Sequence, residues 1–134
     1  LNRLTMLMAA DCLPPFVSAV QRTRTVADVL ALQQADGGWS AGRLGAYARV
    51  DQTPLDTASD GYGTALAVLA LRGEALAANR AAAARGLAWL SGHQQGSGGW
   101  LATSLNKNRD PKSDPARFMP QAATAYAVLA LTRP

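Results

Sequence analysis

An all-α repeat fold follows from three features of the sequence. Two segments recur at nearly the same interval, apolar residues fall at helical spacing, and no stretch alternates convincingly as a strand. Gln33-Gln34-Ala35-Asp36-Gly37-Gly38-Trp39 returns 61 residues later as Gln94-Gln95-Gly96-Ser97-Gly98-Gly99-Trp100, with five of seven positions identical. Thr64-Ala65-Leu66-Ala67-Val68-Leu69-Ala70-Leu71 returns 60 residues later as Thr124-Ala125-Tyr126-Ala127-Val128-Leu129-Ala130-Leu131, with seven of eight identical. The chain therefore reads as two tandem helical-hairpin units of roughly 60 residues, about 15–73 and 79–134, within a single domain.

Five helices are expected. Leu1, Leu4, Met8 and Cys12 form a stripe on a short opening helix that Pro14 must end. Residues 15–34 carry Phe16, Val20, Ala27 and Leu30 on one face, with Pro15 suited to the first turn. A third helix spans 60–72, with Ser59 or Asp60 as N-cap and Gly73 just past its end. Asn79 caps a fourth over 80–94, where Ala83, Leu87 and Leu90 recur at i, i+4 and i+7. The last runs from about Pro120 to Thr132. Helices 60–72 and 120–132 lack a polar face, which predicts burial on all sides, whereas 80–94 keeps Arg80, Arg85 and Gln94 for solvent. Two layers of helices are the expected result. The long connections 35–59 and 95–118 are rich in Gly, Asp, Asn and Pro, and loops of that length commonly carry function.

Composition narrows the function classes. The 134 residues are 49% hydrophobic and 16% charged, which suits a globular domain and excludes a disordered tail. Eleven of the thirteen bases are arginine, Glu74 is the only glutamate, and the net charge is +4. The bases are scattered, which argues against a nucleic-acid face. Cys12 is alone, so neither an internal disulfide nor a multi-cysteine zinc site can form. The apolar stretch 4–20 is broken by Asp11 and Pro14-Pro15, too interrupted for a transmembrane segment or a signal peptide. The chain opens at Leu1 without an initiator methionine and is read as a fragment or processed product. No feature assigns a compartment.

Arg85-Gly86-Leu87-Ala88-Trp89-Leu90, then Gln94 and Gly98-Gly99-Trp100, resembles the QW motif of squalene–hopene and oxidosqualene cyclases. The earlier copy, from Arg24 through Val29 and Gln33 to Gly37-Gly38-Trp39, is degenerate, with Thr25 in place of the glycine and Asp28 in place of the aromatic. The resemblance covers residues 24–132 and implies the α/α toroid shared by triterpene cyclases and protein prenyltransferase β subunits, here a partial one. It also implies that Gln33, Gln94, Trp39 and Trp100 are structural, tying neighbouring helices together. An amide can satisfy orphan groups at a helix end while an indole stacks over it. The segment Thr103-Ser104-Leu105-Asn106 and the helix beginning near Thr124 further resemble bacterial squalene-cyclase-like repeats.

Departures from the family pattern shape the functional expectation. No Asp-x-Asp-Asp acid motif and no Asp-Asp-x-x-Asp element is present; Asp51, Asp56 and Asp60 read as turn and capping residues. Five helices cannot close a toroid of about twelve. The prenyltransferase zinc set of Asp, Cys and His finds Asp11, Cys12 and His93, but adjacent Asp and Cys on a helix diverge by about 100°. Neither a metal nor a cofactor is expected. His93 reads as a helix C-terminal histidine, and Gly96-Ser97-Gly98-Gly99 lacks the Lys-Ser/Thr of a phosphate loop. Lys107, Arg109, Lys112 and Arg117 read as a solvated basic loop.

Two functions remain. One is a non-catalytic module that packs on another subunit, a second copy or the missing part of its own polypeptide. The other is the C-terminal part of a terpenoid cyclase or polyprenoid-binding protein, in which Tyr62, Phe118, Met119 and Tyr126 wall an isoprenoid cavity.

Overall fold

Helix starts in this chain are set by side chains that accept free backbone N–H groups. The computed structural model describes residues 2–10, 17–73 and 76–132. It contains α1 (Asn2–Ala10), α2 (Ala19–Ala31), α3 (Gly61–Arg72), α4 (Ala77–Gly92) and α5 (Asp114–Thr132), with a 3-10 turn at Ala41–Arg43 and no strand among the described residues. Ser18 caps α2 in a capping box: its hydroxyl accepts from Gln21 N while the Gln21 amide oxygen accepts from Ser18 N. Asp60 caps α3 by accepting from Gly63 N.

Several helix ends depart from the sequence reading. α2 begins at Ala19, because the Ser18–Gln21 box starts the helix there. α4 starts at Ala77, with Leu76 at the N-cap position. Asn79 therefore lies inside the helix, 1% exposed, with neither side-chain polar atom hydrogen-bonded. α5 starts six residues early, at Asp114, and carries Pro120 in its interior. Proline has no N–H to donate to the helical ladder, which leaves the Ala116 carbonyl without its helical donor; separately, the Thr124 hydroxyl donates to the Pro120 carbonyl at 2.8 Å. Leu1, Asp11, Cys12, Pro14, Pro15, Phe16 and Glu74 lie outside the described residues.

Contacts between elements trace two rows. α3 sits at the centre of one row, between α1 and α5; α2 packs on α1, and α4 packs on α3 and more lightly on α5. The result is a partial α/α toroid. Positions 63–71 of α3 are all buried, as its apolar circumference requires. Leu66 and Leu71 are fully enclosed, each worth about 1.5–3 kcal/mol of burial. α5 behaves differently. Only Ala123, Ala127 and Ala130 are buried, and Ala125, Val128 and Leu131 face solvent despite the sequence identity with α3.

The two long connections are tied to each other. Arg49 is buried and donates from Nε to the Ser104 carbonyl (2.9 Å) and from Nη2 to Asp56 (3.1 Å). Val50 N donates to the Asn106 carbonyl (2.9 Å) and Asn108 N to Asp51 (2.8 Å). These bonds join the first long connection to the second.

Candidate functional site

The duplicated glycine turn has one local geometry in both copies. Gln34 N donates to Gly38 O at 2.9 Å and Gly37 N to Gln34 O at 2.9 Å; Gln95 N to Gly99 O and Gly98 N to Gln95 O repeat this at 2.8 Å each. Gly37 and Gly98 have φ of +89° and +85°, the left-handed region where a side chain is strained. The following tryptophans then turn inward. Trp39 Nε1 donates to the Val29 carbonyl (2.7 Å) and Trp100 Nε1 to the Leu90 carbonyl (2.8 Å), each in the last turn of the preceding helix. Trp39 N and Trp100 N donate to the hydroxyls of Thr64 and Thr124 (2.9 and 3.1 Å). Gln33 and Gln94 each donate to their own turn, at Gly37 O and Gly98 O (2.8 Å each).

The expected division of labour between amide and indole is reversed. The indole N–H, not the amide, reaches the helix-end carbonyl. The amide of Gln33 instead bridges forward, donating also to the Ala82 carbonyl of α4 at 2.9 Å, and its oxygen accepts from Arg85 Nη2. Trp89 Nε1 donates to Asp36 Oδ2 at 3.0 Å. Gly86 lies against this assembly so closely that a Cβ would stand 2.5 Å from Val68 Cγ2 and 2.8 Å from the Trp39 ring. In the first copy, then, Gln33, Asp36, Gly37 and Trp39 meet Arg85, Gly86 and Trp89 in one interlocked contact. In the second, Gln94, Gly98 and Trp100 form the same turn with an open side: nothing lies within 4 Å of a Cβ placed on Gly98. An open groove of about 590 Å³ runs there, lined among others by Ser97, Trp100, Leu101, Gln121, Thr124 and Ala125.

Of the four residues expected to wall a cavity, two meet. Tyr62 and Tyr126 pack edge to face with ring centroids 5.5 Å apart, and burial raises the Tyr62 phenol pKa. Met119 packs against the core, whereas Phe118 is 67% exposed. His93 stacks on Trp89 at 4.1 Å and its Nδ1–H donates to the Trp89 carbonyl at 2.8 Å, the place of a helix-terminal histidine. Asp11 and Cys12 lie outside the described residues, and among the described ones no three His, Cys, Asp or Glu side chains cluster as metal ligands. No helix among them is long and apolar enough to cross a membrane.

Sequence reasoning passed over Asp36, Thr64, Thr124, Ala82 and Arg49. The threonines were visible as identical positions of the second repeated segment. Asp36 was obscured because its counterpart is Ser97, and Ala82 acts through its backbone. Burial works against charge on Asp36, but donors from Gly38 N, Ser59 Oγ and Trp89 Nε1 outweigh it and lower its pKa. Hydrogen bonds from Thr103 and Arg49 do the same for Asp56. Asp60 is driven the other way: its burial raises the pKa despite bonds from Gly63 N and Ala41 N.

Neither a curated protein nor a solved structure shows significant similarity to this sequence. The family model for the squalene-hopene cyclase C-terminal domain matches residues 6–133, nearly the whole chain. With that match, the duplicated turn and the helical rows around α3 have a common setting: the chain belongs to the squalene-hopene cyclase C-terminal domain family.

Proposed function

We propose that this chain is a non-catalytic helical module that works by packing against another protein component. The observation that carries the reading is the unequal burial of two nearly identical helices. Val68 of α3 is 0% exposed, whereas its counterpart Val128 on α5 is 47% exposed, beside exposed Ala125 and Leu131. An apolar helix face of this kind marks a contact surface. In this reading Gln33, Gly37, Trp39, Arg85, Gly86, Trp89, Gln94, Gly98 and Trp100 fasten helices to one another rather than touch a substrate. Native mass spectrometry of the protein from its own source tests it. A defined complex without lipid is expected; a bare single chain would overturn the proposal.

A second reading has its own support in family membership and in the Tyr62–Tyr126 pair. There the chain contributes apolar wall to an isoprenoid cavity, since π faces attract carbocationic character. An isoprenoid mass travelling with the protein in the same measurement would favour this reading over the first.

A further inference from the structure

We infer that the cavity between the two long connections binds a small molecule carrying an oxyanion, a carboxylate or a phosphate, on a compact apolar body. The inference goes beyond the packing role proposed above and does not depend on it. The cavity holds about 300 Å³, the small end of ligand pockets. The two connections and the first turns of α5 wall it together, and its charges do not balance. Arg49 is buried and fully engaged: its guanidinium donates to the Ser104 and Pro54 carbonyls and to Asp56, the acidic residue of the lining. That pair cancels. Lys107 and Arg109 line the same cavity, and their side chains meet no acceptor or carboxylate among the described residues. Nearby Asp51 and Asp110 are engaged elsewhere: Asp51 accepts from the Thr53 hydroxyl and Asn108 N, and Asp110 from Lys112 N. Arg109 is half-buried, and a guanidinium partly removed from water without a partner is costly until an anion meets it.

The two cations stand on a backbone that is already fixed. Asn108 N, between them, donates to Asp51 at 2.8 Å, and the Asn106 carbonyl accepts from Val50 N at 2.9 Å. Asn106 N and Lys107 N both donate to the Ser104 hydroxyl, at 3.3 and 3.4 Å. Binding an anion there orders two side chains but no loop, which keeps its entropic cost low. A guanidinium beside an ammonium suits an oxyanion, which the planar fork can meet with two parallel bonds. Leu101, Ala102, Pro111, Ala116 and Pro120 complete the lining, so the group attached to the oxyanion is apolar. The same cations repel a developing carbocation, which sets this site apart from the Tyr62–Tyr126 wall.

Three probes that share one ring test the site: phenyl phosphate, benzoate and neutral benzamide, each titrated into the ¹⁵N-labelled full chain and followed by NMR. Phenyl phosphate and benzoate should move the backbone amides of 101–109 saturably, with dissociation constants of about millimolar, as expected for ligands this small. Benzamide should bind at least about tenfold more weakly, because it lacks the charge that the two cations meet. Tighter binding of phenyl phosphate would support a phosphate as the natural oxyanion, and tighter binding of benzoate a carboxylate. Lys107→Gln and Arg109→Gln should each weaken the anionic probes about fivefold or more. Both should leave the thermal midpoint unchanged, since neither side chain has a bonding partner in the free protein. Benzamide binding as tightly as benzoate would overturn the inference. So would anion binding indifferent to both substitutions, or the absence of any saturable shift at 101–109. Shifts spread equally over the arginines of α2 and α4 would also overturn it, as non-specific ion pairing.

Discussion

Trp100 and Asp60 show how single side chains hold this fold through backbone groups. Trp100 is buried and bonds the Leu90 carbonyl. Trp100→Ala should therefore lower stability by about 3–5 kcal/mol in a denaturant titration, the usual range for removing a buried aromatic. Unchanged stability would show that the indole is not structural. Asp60 holds two separate parts of the chain at once: Oδ1 accepts from Gly63 N at 2.8 Å and Oδ2 from Ala41 N at 2.6 Å. Asp60→Ala leaves both donors without an acceptor and should cost about 2–4 kcal/mol, more than an ordinary cap. Asp60→Asn keeps one acceptor and should cost about 1–2 kcal/mol. Equal losses for the two variants would mean that the acceptor retained in Asp60→Asn contributes nothing.

Within α4 the two glycines answer to different neighbours, and opposite effects follow. Gly92 has open space around it, so Gly92→Ala should stabilise by about 0.5–1 kcal/mol through helix propensity alone. Gly86→Ala drives a methyl group into Val68 and Trp39 and should cost about 1–3 kcal/mol by overpacking. Thermal melts of the two variants should move in opposite directions; movement in the same direction would contradict the close approach of α4 to α3. At this scale the helices were legible in sequence and their limits less so. Gly73, the 3.6-residue spacing and a choice of Ser59 or Asp60 as N-cap mark α3 to within a residue, because a cap, a stop and an apolar run agree there, and the structure selects Asp60. The sequence places the start of α5 at Pro120, the natural first-turn residue, yet the helix extends back to Asp114. Proline at a helix start and proline inside a helix look alike in sequence, since what separates them is packing of the preceding turn. The glycine turns were legible for the same reason that they recur: a left-handed position, an inward tryptophan and a bonding amide all demand fixed residue types. Their exposure was not, because α3 and α5 differ in what stands beside them and not in their own residues.

The response of the whole molecule to pH depends on carboxylates whose shifts have opposite signs. Asp36, Asp51 and Asp56 are held below the usual 3.8 by hydrogen bonds within and between the two long connections and, for Asp36, from Trp89 of α4. The stability they contribute is fully present above 3.8 and is lost as pH falls below it toward their lowered values, because the unfolded chain binds protons first. Asp60 is raised above 3.8 by burial. Folded Asp60 holds its proton where the unfolded chain has released it, so its contribution is greatest in acid and declines as pH climbs through the raised value. Stability should thus pass through a maximum above 3.8, with a steep limb on the acid side set by three residues and a shallower limb on the high-pH side set by one. Urea midpoints measured across pH should show the acid-side limb flattened in Asp36→Asn and the high-pH limb flattened in Asp60→Asn, whatever each variant costs overall. The two limbs also differ in place. Asp36 is where α4 meets the first glycine turn through Trp89, so protonating it loosens a contact between helices. Asp60 lies beneath that turn at the start of α3, so its ionisation acts on the centre of the row. A pH profile altered equally on both limbs by Asp36→Asn would show that these groups titrate as one coupled set rather than as two separate anchors.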